Sequence, residues 1–195
     1  KANAITDEAK GLIKSVYFDG TELTTVEEDA FAGLGTAENP LPFQGSSPVA
    51  LAKTLGGTFT NGVLNIGGGL FVISKTDDNN GIRVTYAYSK SNEGKEEYVV
   101  SKVEKSPDWG EGFTDYQMFI RTQLDGARNP QTDEWEYIPV TTFKANAIAA
   151  EAKDLIKSVY INGTDLTTVE ENAFAGLGTA EAPLPFQGSS PVALA

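Results

Sequence analysis

Between residues 53 and 143 apolar and polar positions alternate in short runs broken by turn residues. Ile82, Val84, Tyr86 and Tyr88 alternate with Arg83, Thr85, Ala87 and Ser89, the period-two pattern of a strand with one buried and one wet face. Tyr116, Met118, Ile120 and Thr122 alternate in the same way, but Phe119 on the opposite side implies a strand covered twice or placed at a domain contact. Runs rich in β-branched and aromatic residues predict strands at Val63–Ile66, Leu70–Thr76, Ile82–Lys90, Glu97–Lys105, Thr114–Leu124 and Glu136–Phe143. Asn61-Gly62, Gly67-Gly68-Gly69, Asp77–Gly81 and Ser91–Gly94 supply the turns between them.

The first 52 residues follow other rules. Ile5, Ala9, Leu12, Ile13 and Val16 fall at helical spacing among Asp7, Glu8, Lys10 and Lys14, which predicts an amphipathic helix over residues 4–14. Ser15–Phe18 and Thr21–Thr24 flank Asp19-Gly20, a dipeptide suited to a type I′ turn, and predict a hairpin over 15–24. Thr25 with Glu28 is a capping-box pattern that would open a short helix over 27–32, ended by Gly33. Pro40 and Pro42 make the following passage extended and stiff.

That 52-residue block returns. Residues 144–195 match residues 1–52 at 44 of 52 positions without a gap, at an offset of 143 residues. A period of that size is one ordinary domain and not a solenoid unit. The chain therefore divides into one full repeat at 1–143, made of the helix-hairpin-connector block 1–52 and a β region 53–143, and the start of a second repeat at 144–195. The expected fold is mainly β with a small α+β element: an antiparallel β-sandwich or partly open barrel preceded by an amphipathic helix and hairpin. Because the sequence breaks off where the first copy runs on into Lys53, it reads as a cut from a longer array.

The eight differences between the copies are conservative in a physical sense. Asp19-Gly20 becomes Asn162-Gly163, keeping a turn chemistry; Phe18 becomes Ile161 and Glu22 becomes Asp165. Thr6-Asp7 becomes Ala149-Ala150 and Gly11 becomes Asp154, as a solvent-facing helix side tolerates.

Composition then narrows function. A formal net charge of −12, from 27 acidic and 15 basic residues, disfavours nucleic acid and anionic membranes, which need clustered Lys and Arg. Cysteine and histidine are both absent, which removes disulfides, thiolate metal sites and every Ser-His or Cys-His catalytic arrangement. No apolar run reaches the ~20 residues of a membrane-spanning helix. The chain reads as a non-enzyme with no cofactor.

Three features carry candidate chemistry. Asp77, Asp78 and Asn79, followed by Asn80-Gly81, have the oxygen-rich composition of a calcium loop, against the plainer reading of a polar hairpin turn. Trp109, Trp135 and Tyr137 lie in polar surroundings beside carboxylates, as in a glycan site where an aromatic face stacks on a sugar; the plainer reading is that they cap the core. Gly67-Gly68-Gly69 is followed by a strand and not by Lys-Ser/Thr and a helix, so it is a bend and not a phosphate loop.

The two KANAI-to-PVALA blocks and the Gly-Leu-Gly-Thr-Ala-Glu-x-Pro-Leu-Pro-Phe junctions at 33–43 and 176–186 resemble the tandem-repeat region of a large bacterial cell-surface protein of adhesin, stalk or fibre type. The resemblance is architectural and implies an extracellular or cell-surface structural module whose partners are neighbouring repeats of the same chain, and a glycan or host surface protein. It also implies the intramolecular Lys–Asn isopeptide bonds with which many such domains brace themselves, although no triplet in this sequence stands out for one. A carbohydrate-binding repeat that works through multivalency is the alternative.

Overall fold

A computed structural model describes residues 5–19, 22–90, 94–109, 113–128 and 132–189. The chain is mostly strand: β1 (Val16–Phe18), β2 (Leu41–Gly45), β3 (Thr58–Thr60), β4 (Val63–Ile66), β5 (Gly69–Asn79), β6 (Ile82–Lys90), β7 (Glu96–Lys105), β8 (Gln117–Arg121), β9 (Gln123–Arg128), β10 (Trp135–Phe143), β11 (Ser158–Asn162), β12 (Thr168–Val169) and β13 (Phe186–Gly188). Three short helices accompany them, α1 (Asp7–Lys10), α2 (Pro48–Thr54) and α3 (Ala150–Lys153). No helix among the described residues is long and apolar enough to cross a membrane. Two compact units divide the chain, one of residues 1–75, 88–96 and 125–127, the other of 76–87, 97–124 and 128–195.

In the first unit β1, β2 and β5 run parallel, with Val16 opposite Phe43 and Leu41 opposite Phe71. The antiparallel β3–β4 hairpin adds on the other side of β5, Leu64 facing Phe71. Its turn is Asn61-Gly62 with φ of 51° and 80°, the positive pair that a type I′ turn demands. Phe43, Leu34, Val49, Leu51, Leu64, Phe71 and Ile73 are buried and form its core. Phe18, Phe31, Phe43 and Phe71 meet at ring separations of 5.2–6.3 Å, mostly edge to face, which suits the aromatic quadrupole. Pro48 at its N-terminus starts α2, whose Val49, Leu51 and Ala52 point inward.

In the second unit β7 and β12 flank β10, both parallel to it. A separate sheet has the order β13-β11-β8, again all parallel. The alternation read at residues 82–88 holds: Ile82, Val84 and Tyr86 are fully buried while Arg83, Thr85 and Ala87 are half-exposed. Burial holds the Tyr86 phenol well above the usual range; its oxygen accepts the Arg121 amide at 3.0 Å.

Four expectations are corrected. The antiparallel pairing predicted for the sandwich or partly open barrel gives way to mixed pairing, because the block's strands join partners reached through long connections, which parallel pairing requires. The helix over 4–14 shrinks to the single turns α1 and α3. Thr6 caps α1 by accepting the Ala9 amide at 3.4 Å; the chain must leave the helix early because Val16 and Val159 already belong to parallel strands. The hairpin over 158–167 does not form. β11 pairs with β8 and β13 instead of folding back, and after Gly163 the chain crosses to the other sheet, where Thr167 donates to the Thr141 carbonyl. In the first copy Gly20 and Thr21 lie outside the described residues, and Glu22–Thr24 carry no strand. The short helix over 27–32 is replaced by successive turns bonded Glu27 to Ala30, Asp29 to Ala32 and Phe31 to Leu34. Asp29 adopts φ of 63°, as does its counterpart Asn172, and a helix cannot run through a left-handed residue.

Candidate functional site: the two faces of the repeated block

The two copies keep one internal geometry. Val16, Tyr17 and Phe18 face Phe43, Gln44 and Gly45; Val159, Tyr160 and Ile161 face Phe186, Gln187 and Gly188 in the same parallel register. Thr36 and Thr179 each accept, at Oγ1, the amide three residues on (3.0 and 3.1 Å) and donate their own amide to that residue's carbonyl. The Asn39/Ala182 exchange is silent there because only backbone atoms of that residue are used.

What differs is which face each copy covers. In the second copy the upstream half is buried: Ile148, Ala152, Ile156, Val159, Ile161 and Leu166 are 0–3% exposed. It docks on the β region that precedes it. β11 lies along all five residues of β8, Val159 opposite Met118 and Ile161 opposite Ile120. Tyr160 stacks on Phe119 at 5.2 Å with the rings 3° from parallel, so Phe119 finds its ring partner on the neighbouring strand of its own sheet. Val103 exchanges backbone bonds with Ala147 and Ala149, both 2.8 Å. The Thr122 hydroxyl lies 3.1 Å from the Asn162 carbonyl and 3.0 Å from the Asp165 carboxylate. Glu170 accepts the Ala145 amide at 2.9 Å and the Lys144 ammonium at 2.7 Å, which together hold its carboxyl below the ordinary range.

In the first copy the same half is open among the described residues. Leu12 is 79% and Tyr17 64% exposed, and β1 is the edge of its sheet among the described residues. Its downstream half is covered instead, by the strands that follow it. Leu34 and Phe43 are 1% and 0% exposed; Leu70 donates to the Leu34 carbonyl at 2.8 Å and Phe31 to that of Gly67 at 2.7 Å. The glycine run read as a bend is one, with Gly67 and Gly68 at φ of 51° and 74°. It also lets the block approach: a Cβ on Gly67 would sit 2.7 Å from Val26 Cγ1, and one on Gly68 3.1 Å from Asp29 Oδ1.

The residues proposed for ligand chemistry are dispersed. Asp77 and Asp78 are neighbours on β5 and point to opposite faces. Arg83 grips Asp78 through Nε and Nη2 at 2.9–3.1 Å and reaches Asp108 at 2.9 Å, which raises its pKa; Asp77 lies 3.2 Å from Arg121 Nε. Among the described residues no group of three or more acidic side chains is placed to hold a metal ion. Asn79 ends β5, ahead of the Asn80-Gly81 turn with φ of 47° and 77°. Trp109 packs edge-on against Phe113 at 4.5 Å, and Phe113 against Tyr116 at 5.0 Å, so it ends an aromatic row. Trp135 opens β10, its side chain outside the described residues. Tyr137, 48% exposed, lines a polar hollow of about 360 Å³ with Phe119, Arg121 and Gln123. Trp109 takes no part in it.

Sequence reasoning found the block but not its two-sidedness, because each copy taken alone reads as one amphipathic segment. The signal was available in the paired apolar sets, Leu12 and Tyr17 against Leu34 and Phe43, which no single face of a short block accommodates. No family model, curated protein or solved structure matches this chain.

Proposed function

We propose that the chain is a structural repeat module of an extracellular or cell-surface fibre, stalk or adhesin, in which the 52-residue block is the coupling piece between successive β regions. One observation carries this reading: the same block is buried on its upstream half in one copy and on its downstream half in the other, with its own register unchanged. A block that uses both halves has a β region on either side, and strand pairing on both sides makes the joint stiff. The absence of Cys and His and the charge of −12 support a non-catalytic role at a crowded, wet surface. Small-angle scattering on chains of one, two and three repeats tests it. A maximum dimension growing nearly linearly with repeat number is expected; a broad, flexible distribution would sink the reading.

The polar hollow beside Tyr137 favours the alternative of a carbohydrate-binding repeat, since an exposed aromatic ring with Arg121 and Gln123 offers both stacking and hydrogen bonds to a sugar. A glycan array probed with the chain and with Tyr137→Ala tests it; binding that survives the substitution, or no binding, rejects that site.

A further inference from the structure

Among the described residues the downstream face of the second block is open, and the first block shows what fits there. β13 is the edge of its sheet among the described residues. Beside it lies an apolar hollow of about 410 Å³ lined by Phe174, Leu177, Gly178, Leu184 and Phe186. Their counterparts in the first block are Phe31, Leu34, Gly35, Leu41 and Phe43. There, β5 lies along β2 with Leu41, Pro42 and Phe43 opposite Phe71, Val72 and Ile73. The Phe71 ring sits 5.7 Å from Phe43 and 5.8 Å from Phe31, itself fully buried. Removing that strand from view, Phe186 is 39% exposed where Phe43 is 0%.

Glycine geometry gives an independent sign. A Cβ on Gly35 would collide with the Leu70 carbonyl oxygen of the incoming strand. Gly178 has the same left-handed backbone, φ of 63° against 70°, but its nearest neighbours are Leu184 N at 3.0 Å and Ala182 O at 3.3 Å, both from its own block. The gap that admits a strand backbone is present and lined by the same residues.

We propose that the β13 edge and its hollow are an acceptor site for an extended, parallel strand of the sequence Gly69–Ser74, supplied by a second copy of the repeat. The backbone of the strand bonds to the β13 edge, its aromatic side chain fills the hollow, and its carbonyl at the Leu70 position passes Gly178. Affinity comes from main-chain pairing plus the phenylalanine anchor; selectivity comes from the one aromatic side chain, at the Phe71 position. The inference rests on the module reading for the source of the strand, while the site itself can be tested without it.

The probe is a synthetic peptide spanning Gly68–Lys75, titrated into the full chain and followed by amide NMR shifts. Saturable one-to-one binding is expected, with shifts concentrated at residues 174–188 and the β8–β11 amides unmoved. The Phe71→Ala peptide should bind at least about tenfold more weakly, since truncating a buried phenylalanine removes well over the ~1.4 kcal/mol that a tenfold change represents. Gly178→Val in the chain should abolish binding, and Phe186→Ala, which leaves the backbone unstrained, should weaken it. Binding weaker than about 1 mM, shifts that map elsewhere, or equal affinity for the Phe71→Ala peptide would overturn the site. If the peptide fails while multi-repeat chains scatter as stiff rods, the acceptor site falls and the module reading stands; the reverse pair of results does the opposite.

Discussion

Matched truncations in the two copies should have opposite consequences. Phe43 is fully buried between Phe18 and Phe71, so Phe43→Ala leaves a cavity and costs about 3–5 kcal/mol. Phe186 has the same sequence surroundings but is 39% exposed and nearest to Phe174 at 6.1 Å. Its truncation removes partly buried area without enclosing a void, about 1–1.5 kcal/mol. The difference, about 1.5–4 kcal/mol, is a factor of roughly 10–700 in the local opening constant. Upstream the order reverses: Ile156 is 2% exposed and Ile13 only half-buried, so Ile156→Ala should cost about 2–4 kcal/mol and Ile13→Ala about 1. Because the chain has two compact units, one global unfolding curve can mix two transitions. Native-state amide exchange, read separately on β2 and β11, resolves them. Equal costs for Phe43→Ala and Phe186→Ala, or for Ile13→Ala and Ile156→Ala, would refute the two-faced block.

Two further outcomes follow from ion pairs. Lys75 lies 2.7 Å from Asp125, whose side chain is 2% exposed, so Lys75→Met should cost about 1–3 kcal/mol in urea unfolding of the first unit by removing the ammonium from beside a buried carboxylate. Glu170 is held below its ordinary pKa by the Ala145 amide and Lys144; its contribution is therefore complete above the unfolded pKa and is lost as pH falls through the folded one. Acid titration of the β11–β13 amides should show that loss below about pH 4.5, and Glu170→Gln should remove it.

The legible parts of the fold were those fixed by neighbours in sequence. Val63–Ile66 and Ile82–Lys90 form strands over the predicted residues, because alternation is local and each run is long enough to show it. Asn61-Gly62 and Asn80-Gly81 make their tight turns because few residues accept two positive φ angles. Asn162-Gly163 carries the same local signal and forms no hairpin. There the partner of Val159 is Met118, and of Val16, Phe43, contacts whose long sequence separation leaves no mark on a local pattern. The helix over 4–14 failed for the same reason: the apolar spacing was real, but Val16, which closes it, is a strand residue paired with Phe43, as its counterpart Val159 is with Met118. Of the candidate site, the glycine bend was visible beforehand. The division of the block into two faces needed the burial of both copies.

The central claim is that the downstream half of a block completes the sheet of the β region that follows it. Appending the sequence of residues 53–143 after Ala195 supplies that region to the second block. Hydrogen exchange at the amides of residues 184–188 measures the consequence directly. They should slow to the protection of residues 41–45, and Phe186→Ala in the extended chain should then become as costly as Phe43→Ala. Exchange at residues 184–188 unchanged by the added region would contradict the claim.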